Sequence, residues 1–288
     1  MTITRFAPSP NGPLHAGHAF SALFSEQLAK RRGGRFLLRI EDLDTTRARE
    51  EHVRAIYDDL RWLGVSWQPP VRRQSEHMAD YSALLEKLKR MDLLYPCFCT
   101  RGDIRRAVAE NPRWPRDPDG APIYPGTCRG MSHEQRNRRM AGGERPAWRL
   151  DMARALEMLE MMERPLTWRE EGAGPGGETG IVTARPRDWG DVVLGRRDIG
   201  ASYHLAVVHD DALQGVTHVT RGQDLFHATA IHRLLQELLA LPQPAYVHHR
   251  LITTGEGRKL SKSLRDQSLA DLRAAGMTAR QLRQQLGF

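Results

Sequence analysis

A chain of 288 residues that is 40% hydrophobic and 27% charged has the material for one large domain or two small ones, and is too apolar to stay disordered. It holds no apolar run near the ~18 residues a membrane-crossing helix needs, and Met1-Thr2-Ile3-Thr4-Arg5 has neither the apolar stretch nor the cleavage site of a signal peptide, so a cytoplasmic protein is expected. A net charge of +8 suits a polyanionic partner, although it also serves plain solubility.

The first element is a short apolar strand that runs into Ala7-Pro8-Ser9-Pro10-Asn11-Gly12-Pro13, a loop by composition. His15-Ala16-Gly17-His18 follows and opens a helix with Phe20, Leu23, Phe24 and Leu28 on one face. Lys30, Arg31 and Arg32 fill its last turn and Gly33-Gly34 stops it. A strand, a tight loop and a helix start offer backbone N–H groups and a positive dipole end to a phosphate, and small residues at 16 and 17 allow close approach. Residues 35–40 read as a buried strand, which completes a β–α–β unit of an open α/β sheet. Both strand ends should face one crevice. Glu41-Asp42-Leu43-Asp44 sits at the second strand end, where a carboxylate can meet an ammonium, a ribose or a magnesium ion. Some of these carboxylates are also expected to cap the next helix, which carries Val53, Ile56, Tyr57, Leu60 and Leu63. Pro69-Pro70 marks a loop, and residues 75–92 a further helix.

From residue 95 to 130 proline and glycine are dense and apolar periodicity is lost. All three cysteines, Cys97, Cys99 and Cys128, lie here. An odd number so clustered argues against a disulfide framework and for either ordinary thiols or a metal site. Three thiolates need a fourth ligand for tetrahedral zinc, and Tyr124 is the near candidate. Ser132 and Gln135 form a capping box before a short basic helix, residues 148–152 and 166–168 read as strands, and the Gly-rich run 170–180 reads as a surface insertion without evident chemistry. Beyond Asp188 the pattern is sheet-like again: 191–194, 203–208, 217–220 and 246–252 are expected strands, with His209-Asp210-Asp211 and Arg221-Gly222-Gln223-Asp224 at strand ends, and Asp224 as a helix cap. Lys259-Leu260-Ser261-Lys262-Ser263, with its two lysines and two hydroxyls, can hold a polyphosphate or be a solvated basic turn. Two short helices follow.

Taken together, His15-Ala16-Gly17-His18 is similar to the HIGH motif of class I aminoacyl-tRNA synthetases, and Lys259-Leu260-Ser261-Lys262-Ser263 to their KMSKS motif. Arg5-Phe6-Ala7-Pro8-Ser9-Pro10 and Arg39-Ile40-Glu41-Asp42-Leu43-Asp44 resemble the glutamyl branch. The resemblance implies an α/β fold: a Rossmann-like nucleotide-binding catalytic domain in two halves, 1–94 and 188–255, with an inserted acceptor-type segment at 95–187 and a KMSKS-like loop with a short helical end at 256–288. An anticodon-binding domain is not expected, which makes the chain resemble the truncated, zinc-containing glutamyl-Q tRNA(Asp) synthetase family. That family activates glutamate with ATP without tRNA and attaches it to queuosine at the wobble position of tRNA(Asp).

Carried onto this chain, the resemblance implies His15, His18, Lys259 and Lys262 as catalytic residues, and His15, Gly17, His18 and Lys262 at ATP with Mg²⁺. It implies Arg5, Phe6, Ala7, Pro8, Ser9, Glu41, Tyr203 and Arg221 at glutamate, and one structural zinc on Cys97, Cys99, Tyr124 and Cys128. A monomer is expected. The rival readings are a truncated glutamyl-tRNA synthetase that charges a tRNA 3′ end, another H-x-G-H nucleotidyltransferase that acts without RNA, and a non-catalytic RNA-binding paralogue.

Overall fold

The computed structural model describes residues 1–161, 163–252 and 267–288. In chain order the strands and helices are β1 (Ile3–Phe6), α1 (Ala16–Arg31), β2 (Arg35–Ile40), α2 (Glu50–Trp62), β3 (Gln68–Arg73), α3 (Met78–Arg90), β4 (Leu94–Cys97), α4 (Arg101–Val108), α5 (His133–Ala141), β5 (Ala147–Leu150), α6 (Met152–Met161), β6 (Thr167–Glu170), β7 (Gly180–Thr183), β8 (Val193–Gly195), α7 (Tyr203–Leu213), β9 (His218–Gly222), α8 (Thr229–Leu239), β10 (Ala245–His249), α9 (Leu269–Ala274) and α10 (Ala279–Leu286).

β1, β2 and β3 form a parallel sheet in the order β1-β2-β3, and β9, β10, β6 and β7 a mixed one in the order β7-β6-β10-β9, in which only the edge strand β7 runs antiparallel to its neighbour. The two meet edge to edge at β1 and β9. There the Thr217 N–H donates to the Ile3 carbonyl at 3.0 Å, and the Ser25 and Thr220 hydroxyls lie 2.6 Å apart beneath the seam. The combined order, β3-β2-β1-β9-β10-β6-β7, is that of a doubly wound Rossmann-like sheet. The chain leaves β1 toward one edge and resumes at β9 toward the other. Crevices for ligands open at such a switch point, outside the carboxyl ends of the strands.

α1 packs over this seam because Ala19, Phe20, Ala22 and Leu23 are buried on one face. With β2, α2, α9 and α10 it makes one core; α3, α6, α7 and α8 close another around Leu88, Leu150, Leu205 and Leu234. β4, β5 and β8 build a separate antiparallel sheet, from which the cysteine segment projects at Cys97. β6 and β7, although they fall between 95 and 187, lie in the large sheet against β10.

Four local expectations are corrected. Residues 203–208 are not a strand but the start of α7, capped by the Ser202 hydroxyl on the Leu205 N–H. α7 is buried at Leu205 through Val208 and again at Asp210 and Asp211, so no polar stripe interrupts its apolar run. Pro69 and Pro70 stand in β3, an edge strand, where a missing N–H costs nothing in the ladder. Asp42 and Asp44 do not cap α2, whose N-cap Arg49 makes no side-chain capping bond; Asp42 instead caps residue 75, accepting from the Ser75 N–H and hydroxyl at 2.8 Å each. Asp224 does not cap α8, which begins after Ala228 without a side-chain cap. The 170–180 run is the β6–β7 connection, docked through its Ala173 and Gly174 carbonyls on the Gln223 amide.

Asp59 on α2 is buried, and among the described residues its one ion-pair partner is Arg273 of α9 at 3.9 Å. Burial pushes its carboxyl up to about 6, against the pull of Arg273. A carboxyl raised in the folded state binds its proton more tightly there than in the unfolded chain, so stability falls as pH rises from about 4 through about 6. Asp59→Asn should therefore stabilise the chain by ~1–2 kcal/mol at pH 7 and by nothing at pH 4. Urea melts at both pH values check this.

Candidate active site

A cavity of about 640 Å³ opens at the switch point. Its floor comes from the end of β1 and the following loop (Arg5, Phe6, Ala7, Pro8, Ser9), the start of α1 (His15, Gly17, His18), Glu41 after β2, Tyr203 on α7 and Arg221 on β9. All eight residues expected at glutamate and three of the four expected at ATP thus line one space. Lys259 and Lys262 lie outside the described residues.

The α1 start is built by its two histidines. His15 is the N-cap: its Nδ1 accepts the Gly17 N–H at 3.1 Å, and the His15 N–H donates to His18 Nδ1 at 3.2 Å. Each ring accepts at Nδ1, so each carries its proton on Nε2. The rings lie 3.8 Å apart, centroid to centroid. A Cβ on residue 17 would stand 3.0 Å from the His15 ring, which explains glycine there. The first turn of α1 holds no acidic residue, so no carboxylate of the helix itself offsets its positive end.

Beneath the amino-acid side lies a charged network. Arg5 donates from Nε to Asp211 at 2.9 Å, from Nη2 to the same carboxylate at 3.2 Å, and from Nη1 to the Thr220 carbonyl at 3.0 Å. Arg39, wholly buried, reaches Asp211 at 2.8 Å, Glu41 at 3.1 Å and Asp210 at 3.8 Å. Arg72 pairs with Asp210 at 2.8 Å. Burial works to raise the Asp211 carboxyl, but Arg5 and Arg39 outweigh it and hold it below the usual range. Glu41 goes the other way: burial lifts its carboxyl despite Arg39 and Arg5. A carboxylate short of compensation on a cavity wall is a place for an ammonium.

Arg221 differs from the other buried arginines. It donates to His248 Nε2 at 3.1 Å, to His232 Nδ1 at 3.0 Å and to the Thr229 hydroxyl at 2.6 Å, and among the described residues it pairs with no carboxylate. A buried guanidinium on a cavity wall without a counter-ion is a place for an anionic group, and its planar fork suits a carboxylate.

In the cysteine segment the three Sγ atoms lie within 4.8 Å of one another. Cys99 and Cys128 are 3.5 Å apart, and the Tyr124 hydroxyl stands 3.5 Å from Cys99 Sγ. Sulfurs bound to one ion at ~2.3 Å sit a little under 4 Å apart, so the cluster fits a metal and is too open for a disulfide. Arg149 lies 3.9 Å over the Tyr124 ring and donates to Cys97 Sγ at 3.3 Å, which places a cation beside the sulfur cluster. Cys128→Ala should purify with less than about a tenth of the metal per chain found in the unaltered protein, and with a lower melting temperature. Elemental analysis under reducing, chelator-free conditions reads this, and an unaltered chain free of metal refutes the site.

Strand order, a helix start with paired histidines, and a wall with one uncompensated arginine narrow the family sharply, and the comparison with known proteins decides it. The family model described as tRNA synthetases class I (E and Q), catalytic domain, matches residues 1–286. The chain belongs to this synthetase family. It is 45% identical to a glutamyl-Q tRNA(Asp) synthetase of Rhodobacter capsulatus, with 99% of this chain and 100% of that one covered. A second protein of that name, from Symbiobacterium thermophilum, is 39% identical over 96% of this chain and 82% of its own length. Among solved structures, a glutamate tRNA ligase from Elizabethkingia meningosepticum, in complex with its amino acid, superposes with a TM-score of 0.72 at 28% identity, covering 96% of this chain and 53% of the ligase.

In this synthetase chain several cavity residues escape sequence reasoning. Arg47, Ser21, Asp224, His249 and Arg250 also line the space. His249 ends β10 and Arg250 follows it, whereas both fell inside the strand expected at 246–252. Arg47 carried no expectation, and Asp224 was expected at a strand end and as a helix cap. The Gly222 backbone bends close to Asp224, where a Cβ would stand 2.4 Å from its carboxylate. No helix among the described residues is long and apolar enough to cross a membrane.

Proposed function

We propose that the chain activates glutamate with ATP in the absence of tRNA and transfers the glutamyl group to queuosine at the wobble position of tRNA(Asp). The observation that carries the activation step is the single cavity that joins Arg5, Glu41, Tyr203 and Arg221 to the His15–His18 helix start. The RNA step rests on the likeness to the Rhodobacter capsulatus protein, a match that covers 99% of this chain and 100% of that one.

The chemistry follows from the geometry. A carboxylate oxygen of glutamate attacks the α-phosphorus of ATP; the bond from that phosphorus to the bridging oxygen breaks, and pyrophosphate leaves. Catalysis needs alignment and stabilisation of charge on the phosphoryl oxygens rather than a protein nucleophile. His15 and His18 give Nε2–H donors at the helix start for the phosphates. Glu41 takes the ammonium, Arg221 a carboxylate, and the Tyr203 hydroxyl a further polar contact. Arg5 keeps two N–H groups beyond those given to Asp211 and Thr220. Arg47 and Arg250 add positive charge at the rim, and Asp224 can accept from ribose hydroxyls. Mg²⁺ held by the triphosphate would neutralise charge on the leaving group. The thiolates of Cys97, Cys99 and Cys128 with the Tyr124 phenol favour zinc by their softness, and the ion would brace a segment poor in core residues. Three thiols suit a reducing cytoplasm.

Lys259 and Lys262 complete the site by this reading. Ile252 lines the cavity, and beyond Lys262 the Leu269 N–H returns to the Leu14 carbonyl at 2.8 Å, with Ser268 bridged to His15. The described residues on both sides of the lysine segment thus touch the cavity or its first loop. Lys262→Ala should lose glutamate-dependent ATP–pyrophosphate exchange by about a hundredfold or more while the chain still folds; exchange within twofold of the unaltered protein contradicts the role. The reading itself is tested by that exchange with glutamate and ATP alone. Exchange without tRNA is expected, and none at any glutamate concentration would sink it.

A further inference from the structure

Arg221 is held by acceptors whose ring orientation is set from outside the cavity. His248 Nδ1 faces the Glu170 carboxylate at 2.6 Å, so its proton is there and Nε2 has the lone pair that receives Arg221 Nε at 3.1 Å. His232 Nδ1 receives Arg221 Nη1 at 3.0 Å, so its Nε2 carries the proton and donates to His204 Nδ1 at 3.1 Å. Glu170 is itself fixed by the His248 and Gly172 N–H groups at 2.9 and 3.0 Å. A protonated imidazole in either place would turn an N–H toward a guanidinium and add a second positive charge. Burial, reinforced by Arg221, keeps His232 well below its usual range, and burial brings His248 down to about 4.

The contrast with Arg5 shows what this achieves. Arg5 meets Asp211 directly, and its charge is cancelled at the site. Glu170 stands one imidazole away from Arg221: near enough to orient His248, too far to cancel the guanidinium. Glutamate and glutamine side chains have nearly the same shape. Shape alone separates such isosteres poorly, whereas a buried group left unpaired by the wrong one separates them well.

We propose that His232 and His248 are positioning and specificity-determining residues, neutral acceptors that aim Arg221 and leave its charge for the side-chain carboxylate of the amino acid, so that the site takes an acidic side chain and refuses the matching amide. This rests on the glutamate-activating reading given above.

The test is tRNA-free ATP–pyrophosphate exchange with glutamate and with glutamine, on the unaltered protein, His248→Phe and His248→Gln. Phenylalanine keeps the ring volume but offers no acceptor; glutamine offers Oε1. His248→Phe should raise the KM for glutamate about tenfold or more and cut the preference for glutamate over glutamine by a similar factor, with kcat and the KM for ATP within about twofold. His248→Gln should recover most of both losses. If His248→Phe does not fold, Glu170→Gln reads the same device, because an amide there can donate to Nδ1 and turn the N–H of Nε2 onto Arg221; the same KM split is expected. Unchanged preference, or equal loss toward ATP and glutamate, overturns the inference. An unaltered protein inactive with glutamate overturns the functional reading instead.

Discussion

Arg221→Ala should raise the KM for glutamate by two to three orders of magnitude, with the KM for ATP nearly unchanged. A carboxylate that enters a buried site and finds its cation gone bears its desolvation unpaid, about 3–5 kcal/mol, which is a factor of roughly a hundred to a few thousand. Arg221→Lys should recover little, since an ammonium cannot reproduce the fork and would not reach Thr229, His232 and His248 together. The fold should persist, because the substitution removes a buried charge with no carboxylate partner rather than half of an ion pair. Steady-state exchange kinetics at varied glutamate and varied ATP separate the two KM values. Parallel loss of both would mean that Arg221 supports the fold and not the amino-acid pocket.

His18→Ala should show the opposite split: kcat for adenylate formation down by about 10²–10³, and the KM for glutamate little moved. A donor aimed at developing phosphoryl charge acts in the transition state, and the loss of one such donor costs of that order. His18 also accepts the His15 N–H, so alanine removes half of the α1 capping box as well. His18→Asn distinguishes the two effects. Its Oδ1 can keep the cap, and a helix cap is worth only ~1 kcal/mol of stability. Thermal melts restored by asparagine with kcat still depressed assign the loss to the phosphate site; full recovery of kcat would leave His18 as a cap alone.

The first β–α–β unit was legible because its signals are local. Gly33 and the basic last turn end α1, the glycine at φ 59°, and residues 35–40 form one of the strands as expected. The convergence of Arg5, Glu41, Tyr203 and Arg221 followed from family likeness and strand-end reasoning, although Tyr203 arrives on a helix. That error has a plain cause. α7 is covered on nearly every side, and Val207 and Val208 favour strands, so neither periodicity nor propensity marks a helix; only Ser202 signalled its start. The Arg39–Asp211 and Arg221–His248 contacts were not legible at all. They join residues far apart in the chain, and a buried charge looks like a surface charge until its partner is known. His232 carried no expectation, His248 only a place in the strand expected at 246–252, and Glu170 only one in the Gly-rich run 170–180.

The account stands or falls on where the glutamate goes. The unaltered protein, ATP and labelled glutamate should be incubated with tRNA(Asp) that contains queuosine and with the same tRNA that lacks it, and the labelled position mapped by nuclease fragments. Label confined to the queuosine-containing anticodon fragment is the predicted result. Label on the 3′ adenosine of either RNA would make the chain a shortened glutamyl-tRNA synthetase, and label on neither, with exchange intact, would contradict an RNA substrate.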